Sequence, residues 1–379
     1  MKKFVAIILS CVMMLSIFIP TATAEENIKV GFIGVLTGRG SQYGEGVKKG
    51  IEVYVDLINE QGGINGVPVK VIYEDSQGDA SKGVLAAQKL IGLDGCVAIL
   101  GPVITPVCKA VAEYCNDEGI PMITASGTDY EITTGRPSVF RTCFLDPFQA
   151  TVIAQYIAAQ GITKVAALYD QGNPYSKGLY DAFKAECENQ GVEILATESG
   201  SGDDVDFKAQ LTNIKNAVPE AVFLPYYGEA AALILTQANE IGLDVKYYGG
   251  DGISNIVKAI TDKSLLTNMV YTDHFSNSET NEQALTFLAA YRKKFGQEPD
   301  ISFIATAYDA ARVLFDAMGK VEDPSDYEAV TAAIKATDLE CVTGRITFDE
   351  HNDPIKSVFF TTFNAEGKQI FIESFAPAQ

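Results

Sequence analysis

The stretch IKVGFIGVLTGRGSQYGEGVKKGIEVYVDLINEQGGINGVPVKVIYE, residues 28–74, decides the fold. Ile28–Val35 and Val67–Glu74 are short runs rich in β-branched and apolar residues, the pattern of buried strands. Between them Gly44–Gln61 has helical periodicity. Strand, helix and strand in that order form a right-handed βαβ unit of a parallel sheet. The alternation continues with helices over Ser81–Leu93 and Thr105–Glu118 and strands over Val97–Leu100 and Pro121–Thr124.

It restarts after Pro147. Helices are expected at Phe148–Gln160, Pro174–Gln190, Phe207–Asn216 and Glu229–Ile241. Strands are expected at Lys164–Tyr169, Val192–Glu198, Ala221–Pro225 and Val245–Gly249. The rhythm then breaks: Asn281–Phe295, Ser302–Gly319 and Asp326–Ala336 are consecutive helices, with strands near Gly344–Phe348, Ser357–Asn364 and Gln369–Glu373. Such a third part completes the two earlier series, so the chain crosses between two α/β lobes more than once. Repeated crossings make a hinge, and the cleft beside it lies at strand carboxyl ends, where such sheets bind ligands.

The length of 379 residues suits two domains at roughly 100–200 residues each. With 29 Lys+Arg against 49 Asp+Glu, the net charge of −20 argues against a general nucleic-acid binder, whose affinity comes from basic side chains. His274 and His351 are the only histidines, which disfavours a multi-histidine metal centre. At the start, Lys2 and Lys3 precede an apolar run from Phe4 to Ile19, Pro20 and Ala22-Thr23-Ala24. This is the pattern of a secretory signal peptide over residues 1–24, and its run falls short of the about 20 residues of a membrane span. An alternative makes Cys11 a lipidated N-terminus, against which stand the bulky Leu9 and the apolar run beyond Cys11.

Six further cysteines remain, Cys96, Cys108, Cys115, Cys143, Cys187 and Cys341, and no CxxC pair gives zinc its usual spacing. Cys108 and Cys115 fall two turns apart on one expected helix, too far to bridge, and buried free thiols are expected. The loop Leu36–Gly44 contains GxG, but the next glycine comes too late for a dinucleotide fingerprint, and a turn before a helix accounts for it. GxxxxGK[ST], HExxH and GxSxG do not occur.

Two polar loops stand at strand ends of the first series. Thr124-Ala125-Ser126-Gly127-Thr128-Asp129 follows one strand, and Gly101–Pro106 follows another, with Thr105 as the expected helix N-cap. Hydroxyls and backbone N–H groups there suit a small carboxylate, although ordinary capping uses the same residues. The second series offers Tyr169–Tyr175, Pro225–Gly228 and Gly249-Gly250-Asp251-Gly252 at equivalent places. Asp251, between glycines, is expected to present a bare carboxylate to the cleft, where a ligand ammonium is its simplest partner. Hydroxyls on one wall, and a carboxylate with aromatics on the other, describe a site for an α-amino acid zwitterion.

These residues resemble the branched-chain amino-acid-binding family of periplasmic solute-binding proteins, the leucine–isoleucine–valine type, over essentially the whole chain after the signal. The resemblance rests on Ile28–Gly38, Gln42-Tyr43-Gly44, Asn59–Gly66, Asp117–Thr124, Phe140-Arg141-Thr142, Tyr226–Ala232 and Gly249–Gly252. It implies two doubly wound, Rossmann-like lobes joined by a three-crossover hinge, the type I periplasmic binding protein fold. It places carboxylate binding on Thr105, Ser126 and Thr128 with the Gly127 backbone. The ammonium-binding acid falls on Asp251, assisted by Thr128, and the side-chain pocket on Tyr43, Tyr175, Tyr227 and Phe303. Val103-Ile104 replace a segment that carries a cysteine in other members, so the family's small-loop disulfide is absent, and Asp251 is shorter than the glutamate some members use.

The resulting expectation is an N-terminal lobe of residues 25–146 plus 273–355 and a C-terminal lobe of 147–272 plus 356–379. The protein is expected to be a monomeric, non-enzymatic periplasmic (or cell-surface) receptor. Clamshell closure of its lobes captures a branched-chain or other small neutral L-amino acid, which is delivered to the permease subunits of an ABC transporter. No cofactor, metal or nucleic acid is called for, and no transmembrane segment follows the signal. The rivals are an amide or urea sensor of the same fold, and an exported enzyme, which needs a nucleophile–base pair or metal that the sequence does not show.

Overall fold

The computed structural model describes residues 27–376. The signal peptide expected over residues 1–24 and the alternative at Cys11 lie outside the described residues. The first series forms β1 (Ile28–Gly34), α1 (Ser41–Glu60), β2 (Val69–Asp75), α2 (Ala80–Gly92), β3 (Ile99–Leu100), α3 (Thr105–Asp117), β4 (Met122–Thr124) and β5 (Val139–Arg141). The five strands make one parallel sheet in the order β2-β1-β3-β4-β5, with Ile28 opposite Val69 and Gly31 opposite Ile99.

The second series forms α4 (Asp146–Ala159), β6 (Lys164–Tyr169), α5 (Pro174–Gln190), β7 (Glu193–Ser199), α6 (Lys208–Ala217), β8 (Ala221–Phe223), α7 (Gly228–Glu240), β9 (Lys246–Gly249) and β10 (Met269–Asp273). Then come α8 (Glu282–Phe295), α9 (Phe303–Gly319), α10 (Tyr327–Lys335), β11 (Asp338–Cys341), β12 (Gly344–Thr347), β13 (Val358–Phe363) and β14 (Gln369–Phe375). The second sheet runs β14-β13-β10-β9-β8-β6-β7, antiparallel only where β13 and β14 join it. The chain therefore passes between the lobes three times, after β5, after β10 and after β12.

Each sheet is covered on both faces, which is why its central strands are apolar throughout: Val165, Ala166, Ala167 and Leu168 of β6 are all buried. In the first lobe α1 packs with α9 and α8 on one face, and α2 with α3 on the other. The C-terminal helices thus complete the first lobe, and β13 and β14 the second. Burying a side chain such as Val47 or Ile51 of α1 contributes about 1.5–3 kcal/mol. In the 36–44 loop, Gly44 has a packing reason that needs no phosphate. A Cβ there would lie 2.1 Å from the Val35 carbonyl oxygen, so α1 seats directly on the end of β1.

Three strands depart from the expected pattern. β5 and β11 are three and four residues long, too short for a periodic signal. β10 follows a 3-10 turn at Lys263–Asn268 instead of a helix, which breaks the alternation. All six cysteines of the described residues are buried and unpaired. Burial pushes the Cys96 thiol up to about 11 and those of Cys108 and Cys187 to about 12, so they stay protonated and inert. Among the described residues, no helix is long and apolar enough to cross a membrane.

Candidate functional site

Strand order reverses beside β1 and β3 in the first sheet and beside β6 and β8 in the second. Loops leaving the carboxyl ends at such switch points splay apart and open a crevice. The loop after β1 delivers Tyr43 in the first turn of α1, the loop after β3 delivers Thr105, and the loop after β4 delivers Ser126, Gly127 and Thr128. From the other lobe come Tyr175 after β6, Tyr227 after β8 and Asp251 after β9. Tyr43, Thr105, Ser126, Tyr175, Tyr227, Asp251 and Phe303 all line one small, tightly packed cavity between the lobes. Gly127 and Thr128 stand behind this lining, on the same loop as Ser126.

The lobes are closed over the cavity. The Tyr43 hydroxyl accepts from Gly228 N–H at 2.9 Å and donates to the Gly252 carbonyl, with the side-chain amide of Asn255 2.7 Å away. At the rim Arg39 pairs with Asp203 at 2.6 Å and Glu229 at 3.4 Å, and Lys258 pairs with Asp300 at 2.6 Å. The aromatic walls are ordered by stacking: Tyr175 and Tyr227 lie 4.9 Å apart and nearly parallel, and Tyr43 tilts against Tyr227 and Phe303.

Asp251 is buried and its carboxylate is not bare, contrary to the expectation from its glycine neighbours. Oδ1 accepts from Tyr175 OH at 2.9 Å and Gln149 Nε2 at 3.1 Å, and Oδ2 lies 2.9 Å from His274 Nε2. A burial this deep requires donors already in place. Gln149 also donates to Asp146 Oδ1 at 2.8 Å, while its own oxygen accepts from Thr272 at 2.7 Å and Asp251 N–H at 3.2 Å. Of the three donors to Asp251, Tyr175 was expected at the site as part of the side-chain pocket, Gln149 was not singled out, and His274 was noted only in weighing a metal centre. His274, one of two histidines and placed just after a strand, was the one with a readable signal.

The opposite wall is largely satisfied from within. Ser126 Oγ donates to the Val103 carbonyl at 2.7 Å, and Gly127 N–H donates to Thr124 Oγ1 at 3.0 Å. Thr128 Oγ1 is buried with no hydrogen-bond partner among the described residues. Thr105 is not the N-cap: Ile104 occupies that position and Thr105 is the first helical residue, followed by Pro106. Pro106 is tolerated there because the N–H groups of the first turn have no intrahelical acceptor. The loop is held by Arg141, fully buried, which donates to the carbonyls of Gly127 at 2.7 Å and Asp129 at 2.9 Å, to Thr133, and to Asp353 at 2.6 Å.

Burial, and then the charge of Asp251, raises the Asp146 carboxyl well above its ordinary range and the Tyr175 phenol likewise. Burial also raises Tyr43 and Tyr227, so all three phenols are neutral donors. Burial lowers His274 below its ordinary 6.5 despite Asp251 beside it. No group of three His, Cys, Asp or Glu side chains among the described residues is arranged to hold a metal ion.

Two doubly wound lobes, three passages of chain and a polar–aromatic cavity between the lobes define a type I solute-binding protein. The periplasmic binding protein family matches residues 27–368, and the chain belongs to it. It is 32% identical over 356 residues to Leu/Ile/Val-binding protein homolog 3 of Brucella melitensis, covering 93% of this chain and 95% of that one. The branched-chain amino acid transporter substrate-binding protein LivJ of Streptococcus pneumoniae, solved in complex with isoleucine, is 30% identical. It covers 93% of this chain and 100% of its own, with a TM-score of 0.87. A solute-binding protein of an ABC transporter from Rhodopseudomonas palustris, in complex with 3,4-dihydroxybenzoic acid, is 26% identical, covers 93% of this chain and 98% of its own, and has a TM-score of 0.83.

Proposed function

We propose that the protein is an exported, non-catalytic receptor that captures a branched-chain or other small neutral L-amino acid between its lobes and delivers it to an ABC permease. One observation carries this. Asp251 of one lobe and Thr105 and Ser126 of the other line the same small cavity between the lobes. A carboxylate offers about four acceptor sites, and Tyr175, Gln149 and His274 fill three of those on Asp251 with neutral donors. The charge has no counter-ion among them, and a ligand ammonium supplies one together with the fourth hydrogen bond. Thr105, Ser126 and Thr128, with the Gly127 backbone, take the ligand carboxylate, Ser126 by turning its hydroxyl from Val103. Tyr43, Tyr175, Tyr227 and Phe303 enclose an apolar side chain.

Delivery to a permease, residence outside the cytoplasm and function as a monomer are supported by the family, by the names of the relatives and by a cavity complete within one chain. We infer an N-terminal lobe of 25–146 plus 273–355 and a C-terminal lobe of 147–272 plus 356–379, a division supported by the separate core clusters on the two sheets.

The aromatic walls also favour a second ligand class, the hydroxybenzoates, one of which the Rhodopseudomonas protein holds. An aromatic acid brings no cation to Asp251, which ranks it below an amino acid. A thermal-shift screen of the twenty amino acids, simple amides and hydroxybenzoates separates them, because a ligand specific to the folded state raises the melting temperature. Stabilisation by leucine, isoleucine or valine supports the proposal. Stabilisation by benzoates alone refutes it.

A further inference from the structure

Beyond its hydrogen bond to Asp251, the His274 ring has no polar partner among the described residues. It stands just after β10, at the second passage between the lobes, with its side chain fully buried. Phe144, at the first passage, stacks on the ring with centroids 3.7 Å apart, and Phe303 of the cavity wall packs 5.4 Å away. Nε2 lies 2.9 Å from Asp251 Oδ2, while Nδ1 has no partner among the described residues. A carboxylate only accepts, so the neutral ring must carry its proton on Nε2.

We propose that His274 is the positioning residue of the ammonium subsite: its Nε2–H fixes Asp251 Oδ2 toward the ligand, and protonation of the ring cancels the charge that the ligand needs. The proposal rests on the amino-acid function given above. Geometrically, Tyr175 and Gln149 hold Oδ1, whereas His274 alone holds Oδ2, the oxygen with an acceptor site to spare. Since the ring belongs to the second hinge passage and stacks on Phe144 of the first, it ties the orientation of Asp251 to the hinge itself.

The charged and titratable groups around the ring are Asp251 across the bond, Asp273 one residue before it, Asp146 reached through Gln149, and Lys356 from the segment preceding β13. Burial first, and Lys356 with it, lowers the ring's proton affinity, and Asp251 opposes them. The ring is thus neutral above its ordinary 6.5 and charges only in more acidic solution. Once charged, it forms an internal ion pair with Asp251, and an incoming ammonium then meets a neutral pair. Affinity is full at neutral pH and falls on acidification, and by linkage binding of the ligand expels the ring proton.

Two substitutions and one spectrum test this. His274→Gln keeps an N–H donor near the Nε2 position and removes the ring charge, while His274→Leu removes both. Calorimetry with L-leucine from pH 8 to pH 5 is expected to show a wild-type loss of affinity on the acid side. His274→Gln should hold near wild-type affinity at neutral pH and show a smaller acid loss. His274→Leu should bind about tenfold more weakly or worse at pH 8, the loss of a hydrogen bond to a charged group. With only two histidines, nitrogen NMR of the ligand-free protein resolves the ring directly, His274→Gln assigning its signals. A neutral Nε2–H tautomer that charges only below the ordinary 6.5 supports the assignment. An Nδ1–H tautomer, unchanged affinity in His274→Leu, or the full acid loss retained in His274→Gln overturns it. Wild-type protein that binds no amino acid, with the Nε2–H tautomer in place, refutes instead the function proposed above.

Discussion

Tyr43 of the first lobe and Gly228 of the second are joined across the cleft by a hydrogen bond of 2.9 Å, N–H to phenol oxygen. The same hydroxyl donates to the Gly252 carbonyl, so one phenol closes two backbone groups of the opposite lobe. Tyr43→Phe keeps the ring against Tyr227 and Phe303 but leaves both groups unpaired on closure. Ligand affinity is expected to fall by about 1–3 kcal/mol, the cost of buried unsatisfied groups, with little change in the melting temperature of the unliganded protein. Calorimetry and a thermal melt on one preparation check both halves.

The rim contacts should matter far less. Arg39 bridges to an exposed Asp203 and a part-buried Glu229 at the water-facing rim, where screening weakens ion pairs. Arg39→Ala is expected to reduce affinity less than Tyr43→Phe does. The reduction should vanish at about 1 M salt, where the screening length is about 3 Å. A salt titration of both variants decides.

Arg141 links the ligand loop to the third hinge passage through Gly127, Asp129 and Asp353. Removing one partner of a buried ion pair strands the other, so Arg141→Met is expected to cost about 3–5 kcal/mol of folding stability. Arg141→Met combined with Asp353→Leu should cost less than the sum of the two single changes. Urea denaturation of the three variants measures it.

Asp273 gives a pH signature. Burial, with Asp251 adding to it, pushes its carboxyl from the ordinary 3.8 to about 7. The folded state therefore holds a proton that the unfolded chain has lost, and this contribution to stability disappears as pH rises from about 4 to 7. Asp273→Asn removes it. The stability of the variant relative to wild type is expected to increase from pH 4 to pH 7 and level off above, as read from denaturant curves at each pH.

Much of the fold was legible because the sheets are parallel and covered on both faces. Such strands are runs like Lys164–Tyr169, separated by helices of clear period. β5 and β10 were not, since three residues carry no period and β10 follows turns where a helix was expected. Among the site residues, those directly after strands, such as Asp251 and Tyr227, could be found from their place in the alternation. The groups that set their chemistry could not. Gln149 and His274 reach Asp251 across 102 and 23 residues, and only tertiary folding brings them together. Thr105 was placed one position wrong, the helix starting with Ile104 as its cap, and the buried donors around Asp251 replaced the bare carboxylate that Gly250 and Gly252 suggested.

The central claim is that Asp251 awaits an ammonium. The most direct measurement is calorimetric titration of wild type and Asp251→Asn with L-leucine and with 4-methylpentanoate, which is leucine without its amino group. Wild type should bind leucine, and the carboxylate analogue should bind at least about tenfold more weakly; Asp251→Asn should lose about 1.5–3 kcal/mol for leucine and little for the analogue. Equal binding of the two ligands by wild type, or full leucine affinity in Asp251→Asn, would contradict the account.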